Sequence, residues 1–410
     1  MLKVVGRILN LAVWLGFAFL VFLLFVVPLA MTLMLNLGYV PGDRVSWWLH
    51  QLQHLQIPVL RGFCLIWVFF VGSCFASFLN VVAWRVPRKK SILGSSHCPQ
   101  CNVQLKFPRN NVPVLGWLKN GGRCANCDLP IPVRYLIAEL VLGFTFLILF
   151  VVQTTSGGAS IPFRTINAQT GIESVLFAPQ ADLLLTLTFH LTLLSLIFTF
   201  AIAATEKFKA PVSLVVFGII GAAGFQVLPQ GPGILDFRLG TWQDGVASNH
   251  FLSLLDSPVD FLISIGLGCA ASGACFLLVR FSRNEPPFGA FASLLLIGLS
   301  LGWQSVLSIA VIFFSLSACT SLLPVSMRRG VGQVGVCGLL FLATLLHLCL
   351  WRLQSHCQWW PGPASGVQQL TCGVGYLILL ASVQRVLCSS TPESNPETLI
   401  DLPMTLDDLE

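Results

Sequence analysis

Two pairs of cysteines, Cys98-Pro-Gln-Cys101 and Cys124-Ala-Asn-Cys127, stand in the one long, polar and basic stretch of an otherwise apolar chain. Each pair has the two-residue gap of a metal knuckle, and 22 residues separate the pairs. Four thiolates at this spacing close a tetrahedron around zinc. Such a site has no open position, so the metal would hold the loop's shape and do no chemistry. His97, next to Cys98, reads as a bystander. Cysteines such as Cys269, Cys275, Cys337 and Cys349 are scattered through apolar runs and read as small packing residues. A second group of polar residues brackets the loop: Asn80 and Arg85 before it, Arg134 and Glu139 after it. They lie near the ends of two apolar runs, where polar groups can gather around a substrate. Glu139 is the most telling, because a carboxylate inside an apolar helix costs about 2.5–3.5 kcal/mol at mid-bilayer and usually has a partner. Arg85 or Arg134 is the candidate partner, either as a helix-anchoring ion pair at the membrane boundary or as part of a substrate site.

The elements that must position these residues are helices in lipid. With 55% hydrophobic and 10% charged residues and a mean hydropathy of +0.81, the chain is unlike a soluble domain, which carries about 25% charge. Apolar runs fall near 11–37, 58–84, 135–153, 183–204, 211–229, 258–279, 288–305, 307–325, 332–351 and 367–387. Each approaches the roughly 20 residues that cross a bilayer core, which predicts an all-α polytopic membrane protein of about nine or ten transmembrane helices. The first run is too long for a signal peptide and is read as a true helix. With the N-terminus inside, 18 of the 23 Lys and Arg face the cytoplasm, including nine between Arg85 and Arg134. The zinc loop is then cytoplasmic and reduced, which disfavours disulfides. The net charge of +6 is thereby a matter of topology. A nucleic-acid partner is disfavoured, because the basic residues border helices and are not interleaved with exposed aromatics. Six of the 17 carboxylates lie in residues 393–410 with no basic residue among them. That stretch reads as a disordered cytosolic tail, solubilising or docking.

The stretches Ala76-Ser-Phe-Leu-Asn-Val-Val-Ala-Trp-Arg-Val-Pro87, Asn111-Val-Pro-Val-Leu-Gly-Trp-Leu118 and Arg134-Tyr-Leu-Ile-Ala-Glu-Leu140, flanking the cysteine pairs, resemble the N-terminal half of the type IV prepilin peptidases. The likeness is specific over 76–140 and continues more weakly to about 325. It implies a bacterial inner-membrane enzyme that cleaves leaders from pilin-like or pseudopilin precursors. In many members of the family the enzyme also methylates the new N-terminus with S-adenosylmethionine. No glycine-rich dinucleotide fingerprint is present, so such a cofactor site would be built from the loop and helix ends. The domain reading follows: 1–57, an extra N-terminal helix and external loop; 58–153, the helix pair bracketing the loop at 85–134; 182–325, the peptidase core; 326–388, extra C-terminal helices; 389–410, the acidic tail.

Aspartic peptidases use two carboxylates sharing one proton, one to deprotonate water and one to polarise the scissile carbonyl. The resemblance places one aspartate seven residues before a proline and the other at the end of a G-x-G-D motif. The matching stretches are Ala204-Thr-Glu-Lys-Phe-Lys-Ala-Pro211 and Pro287-Phe-Gly-Ala290, so both positions hold alanine. The chain as written should therefore not hydrolyse peptides by this route. It reads either as a natural pseudoenzyme that binds pilin-like helices or as an active parent inactivated at both sites. The intact Pro211 and Gly289 favour the second, and Val212, where the family has Asp or Asn, favours the first. Glu206 is the nearest acid, but a two-residue step turns a helical side chain by about 200°, so it substitutes for Ala204 only if the helix has ended.

Overall fold

The structure is a computed structural model and describes residues 43–94, 96–98, 101–104, 112–162, 164–228, 232–235, 251–252, 258–279, 286–322 and 335–356, together with 371, 374–376, 378–379 and 382. The expected first span at 11–37 and the acidic tail lie outside these residues. The described chain is mostly helical, as expected. The helices are α1 Asp43–Arg85, α2 Leu115–Lys119, α3 Val133–Leu149, α4 Ile172–Phe177, α5 Ala181–Thr205, α6 Val212–Val227, α7 Pro258–Leu278, α8 Pro287–Leu301, α9 Trp303–Leu322 and α10 Gly335–Ser355. Between α6 and α7, β1 Ile234–Leu235 and β2 Phe251–Leu252 form a short antiparallel pair. A wide π-helical turn, Phe150–Thr155, extends α3.

Among the described residues, six helices are long and apolar enough to cross a membrane: Gln56–Arg85, Val133–Thr155, Ala181–Thr205, Pro258–Leu278, Trp303–Thr320 and Gly335–Ser355. The runs expected at 211–229 and 288–305 form shorter helices, α6 of 16 residues and α8 of 15. Imino acids and glycine set those bounds. Pro211 precedes α6, Pro286 and Pro287 open α8, and Gly302, at φ 83°, closes it and separates it from α9. The external loop expected to end at residue 57 is instead helical from Asp43, and α1 passes through Pro58. Residues 46–57 contain neither glycine nor proline and are rich in Leu and Gln, so nothing in them stops a helix extending back from the span.

Helix–helix contact follows the membrane rule that small residues let backbones approach, since lipid supplies no hydrophobic drive between helices. On α1, a β-carbon added to Gly72 would lie 2.8 Å from both the Leu142 carbonyl oxygen and the Phe146 β-carbon of α3. Beside it, the Ser73 hydroxyl donates to the Glu139 carbonyl at 3.0 Å, and Phe69 meets Phe144 edge-on with centroids 5.0 Å apart. Gly268 of α7 and Gly298 of α8 touch so closely that a β-carbon on either would run into the other's carbonyl. The Ser272 hydroxyl seals this crossing, donating to the carbonyls of Gly268 and Leu294 at 2.8 and 2.7 Å. α10, grouped from the sequence with a separate C-terminal segment, packs on α5 and α9 and shares one core with them through Cys337, Leu340, Phe341 and Leu348. A division at residue 326 is therefore not a packing boundary.

Contacts between helix ends fix which ends share a face. On the face of the cysteine loop, Arg134 at the start of α3 pairs with Glu206 at the end of α5. On the same face, Gly289 of α8 lies beside Phe200, Ala210 and Cys337. On the opposite face, Arg61 meets Glu173 at 2.5 Å, and Arg352 donates to the Ile161 carbonyl at 2.6 and 2.9 Å. Gly298→Ala should cost about 2 kcal/mol or more by overpacking the α7–α8 crossing. Gly266→Ala, on the same α7 with nothing within 4 Å of the added carbon, should leave stability unchanged. Thermal unfolding of the two variants in detergent measures the contrast.

Candidate functional site

The cysteine loop is built from two copies of one local structure, offset by 26 residues. In the first, the Cys98 N–H donates to the Val103 carbonyl and the Asn102 N–H to the Cys98 carbonyl, each at 3.0 Å. In the second, the Cys124 N–H donates to the Leu129 carbonyl at 2.9 Å and the Asp128 N–H to the Cys124 carbonyl at 3.0 Å. The residue after each pair's second cysteine, Asn102 at φ 51° and Asp128 at φ 57°, takes the left-handed conformation that Asn and Asp tolerate best. Isolated bridges, His97 with Gln104 and Arg123 with Pro130, close both copies at the same offset. α2 holds the second copy in place: the Trp117 indole donates to the Ile131 carbonyl at 3.2 Å and its ring fills the space over Gly122.

The sulfurs of Cys98, Cys101, Cys124 and Cys127 all lie within 4.8 Å of one another. The Cys98–Cys127 and Cys101–Cys124 separations are 3.8 and 3.9 Å. A tetrahedron of thiolates about 2.3 Å from zinc has edges of about 3.8 Å, so the donor set fits that ion. Backbone donors favour thiolate at two of the four. The Val103 N–H holds the Cys101 thiol at about 6, and the N–H groups of Cys127 and Asn126 lower Cys124. Cys127 is pushed up to about 12: the Leu129 N–H lowers it, but desolvation and the sulfurs of Cys124, Cys101 and Cys98 outweigh that.

The polar residues that bracket the loop do not form the cluster expected of them. Glu139 is partnered by neither Arg85 nor Arg134. Its carboxylate accepts the backbone N–H of Val114 at 2.6 Å and a hydrogen bond from Ser77. Arg134 stands five residues earlier on the same helix, a step of about 500° that turns it some 140° away from Glu139. It pairs with Glu206, so the acid considered as a stand-in for Ala204 is already engaged. The Arg85 guanidinium faces the carbonyls of Ser91, Ile92 and Leu93 at 3.3–3.5 Å and shapes the first turn of the loop. The Asn80 amide donates to the Ala76 carbonyl of its own helix at 3.1 Å.

Ala204 lies one residue from the end of α5, and Ala290 lies in the first turn of α8. The two helix ends meet. A β-carbon on Gly289 would stand 3.8 Å from the β-carbons of Phe200, one turn before Ala204, and of Ala210. Ala290 is 1% exposed in the apolar core. Two anchors escaped the sequence reading. Val114 has φ 62°, a conformation that β-branched residues avoid, and its N–H is the one Glu139 holds. Arg88 lies between the rings of Trp84 and Phe208, 4.3 and 4.2 Å from their centroids, and so ties the loop to the turn after α5. A basic residue four places after an exposed aromatic at a helix end hints at the first contact. Nothing local hints at Phe208.

Fold and site together define a polytopic helical membrane protein in which two close-packed helices carry a four-cysteine loop. Residues 70–153 match the Bacterial Peptidase A24 N-terminal domain. The prepilin leader peptidase/N-methyltransferase of Myxococcus xanthus is 44% identical over 95 residues, 23% of this chain and 28% of that protein. The type 4 prepilin-like proteins leader peptide-processing enzyme of Escherichia coli is 36% identical over 107 residues, 22% of this chain and 39% of that enzyme. These two matches thus span well under half of the relatives' length. The prepilin leader peptidase/N-methyltransferase of Pseudomonas aeruginosa is 25% identical over 272 residues, 60% of this chain and 75% of its own. No solved structure matches. Residues 70–153 thus match an A24 N-terminal domain, and over that region the chain is similar to prepilin leader peptidase/N-methyltransferases, the resemblance its motifs led us to expect.

Two outcomes test the site. Purified chain should carry zinc, and Cys124→Ser or a strong chelator should remove it. Proteolysis should then cut faster within 86–132 while the helices stay inserted; an unchanged cutting rate would rule out a structural role for the cysteines. Glu139→Ala leaves the Val114 N–H without its acceptor and should cost about 1–3 kcal/mol. Glu139→Gln keeps an acceptor and should cost less. Hydrogen exchange at residues 112–120 and thermal unfolding report both.

Proposed function

We propose that the chain is a membrane-embedded prepilin leader peptidase scaffold of the bacterial inner membrane that lacks the aspartate dyad. Pilin-like or pseudopilin precursors would be its substrates, and the cysteine loop, the N-terminus and the acidic tail would face the cytoplasm. The observation that carries this reading is the meeting of two helix ends, one bearing Ala204 and the other Ala290, on the face of a loop of the A24 type. In this reading zinc, held by Cys98, Cys101, Cys124 and Cys127, would supply only shape. Arg134 with Glu206 would hold α3 to α5, and Glu139 would hold α2 under the loop. N-methylation needs a bound S-adenosylmethionine and a positioned amine instead of two acids, so it is separable from cleavage and could persist without them.

The burial of Ala290 favours a second reading, a non-catalytic pseudopeptidase that binds pilin-like helices in pilus or secretion-system assembly. Its position is 1% exposed, and Cys337, equally buried, lies next to Gly289. A carboxylate placed there needs a partner or a proton.

The discriminating experiment is the double variant Ala204→Asp with Ala290→Asp, incubated with a pilin-like precursor. Restoration of a dyad should raise cleavage from background by at least about 10²-fold, the usual contribution of a positioned acid or base. Either single variant should stay at background. A folded double variant that cross-links to the precursor without cutting it would establish the pseudopeptidase reading instead.

A further inference from the structure

The outer surface of the cysteine loop combines positive charge with exposed apolar side chains, and no described part of the chain covers it. Residues 85–134 contain nine Lys and Arg and a single acid, Asp128, which sits 3.6 Å from Arg123. Lys89 and Lys90 are exposed. Leu93 is 83% exposed, and Ile92, Val103 and Leu129 are each exposed by 42–43%. Val103 and Leu129 occupy the same position in the two knuckle copies, so each knuckle presents one apolar side chain outward beside the basic residues.

Elsewhere in the chain lies a segment of the complementary chemistry. Residues 393–410 carry Glu393, Glu397, Asp401, Asp407, Asp408 and Glu410 with no Lys or Arg, and intersperse them with Leu399, Ile400, Leu402, Met404, Leu406 and Leu409. A merely solubilising segment needs the acids and not the leucines. The order of apolar runs would also bring the segment to the right side. α10 runs from the loop face, where Cys337 adjoins Gly289, to the opposite face, where Arg352 meets Ile161. One more apolar run, 367–387, then precedes the acidic residues. Its described positions are helical, and of these Val374, Ile378 and Leu379 are 51–62% exposed, as suits contact with lipid. If this run crosses the bilayer once, as its apolar length suggests, it returns the chain to the loop face.

We infer that residues 393–410 dock onto the basic, apolar surface of the four-cysteine unit, their carboxylates against Lys89, Lys90 and Arg123 and their leucines against Leu93, Val103 and Leu129. Eighteen residues span up to about 60 Å when extended, so reach does not limit the contact. Tethering sets an effective concentration in the millimolar range, so even a weak contact is mostly formed. An anionic lipid surface could satisfy the lysines. The acidic segment satisfies the leucines as well and is always present.

The test is hydrogen exchange of residues 86–104 and 115–130 in the full chain, in uncharged detergent. It is compared with a variant whose six acids are changed to the amides (Glu393→Gln, Glu397→Gln, Asp401→Asn, Asp407→Asn, Asp408→Asn, Glu410→Gln). At about 20 mM salt the unaltered chain should exchange about fivefold more slowly in these segments, and at about 500 mM salt the difference should vanish through screening. Lys89→Glu with Lys90→Glu and Arg123→Glu should abolish the protection as fully as the amide variant does. A synthetic peptide of residues 390–410 added to the amide variant should restore it. Equal exchange in the two chains at low salt would overturn the inference. So would protection that appears only with anionic lipid and is indifferent to the six amides, which would assign the surface to the membrane.

Discussion

The close approach of α1 and α3 is the contact on which the rest of the structure depends. A bilayer offers no water to an exposed peptide group, so the chain crosses as helices, and the helices must find each other through fit. Gly72 supplies that fit by bringing the backbone of α1 onto Leu142 and Phe146 of α3. Ser73 adds a hydrogen bond to the Glu139 carbonyl in the same turn. The loop therefore leaves α1 and re-enters α3 at neighbouring points. Its two halves must then fold back on each other, and the four sulfurs meet as a consequence.

The loop is fastened to the membrane bundle at three places, each by different chemistry. Glu139 reaches up from α3 and holds a peptide N–H under α2. Arg88 lies between two aromatic rings, one on α1 and one in the turn after α5. Arg134 pairs with Glu206 at the end of α5. Two of the three fasten the loop to the turn between α5 and α6, next to Ala204. The shape of the cysteine unit and the geometry at the two alanine positions are thereby joined, although no cysteine comes from α5 or α8.

Much of this was legible in the sequence where a single local rule decides the outcome. Spans were readable because lipid demands apolar length, and the cysteine tetrad because two C-x2-C pairs leave few other uses for four thiols. What was not legible depends on pairing between distant residues. Glu139 was expected to meet an arginine because charge seeks charge. Helical phase turns Arg134 aside, and a peptide N–H with positive φ at Val114 takes the carboxylate instead. The helix through Pro58 is hard to see in the sequence because proline marks the start of a span, yet here it removes only one backbone donor from a segment that is otherwise a good helix former. The contact between Arg88 and Phe208 joins residues 120 positions apart, and no periodicity marks it.

The brevity of α6 and α8 has a consequence for the surrounding lipid. At about 1.5 Å per residue they are some 22–24 Å long, several ångströms short of a typical hydrocarbon layer. They touch each other where Gly218 meets Leu296, and α6 turns Val212, Val216, Phe217 and Ile220 outward. In a bilayer, a mismatch of this kind can be met by local thinning, which draws the headgroup region inward toward the helix ends. Thinning on that flank would bring the headgroup region closer to the start of α8, where Ala290 lies buried. The distance from the membrane surface to the pair of alanines would then be shorter along that flank than elsewhere around the bundle.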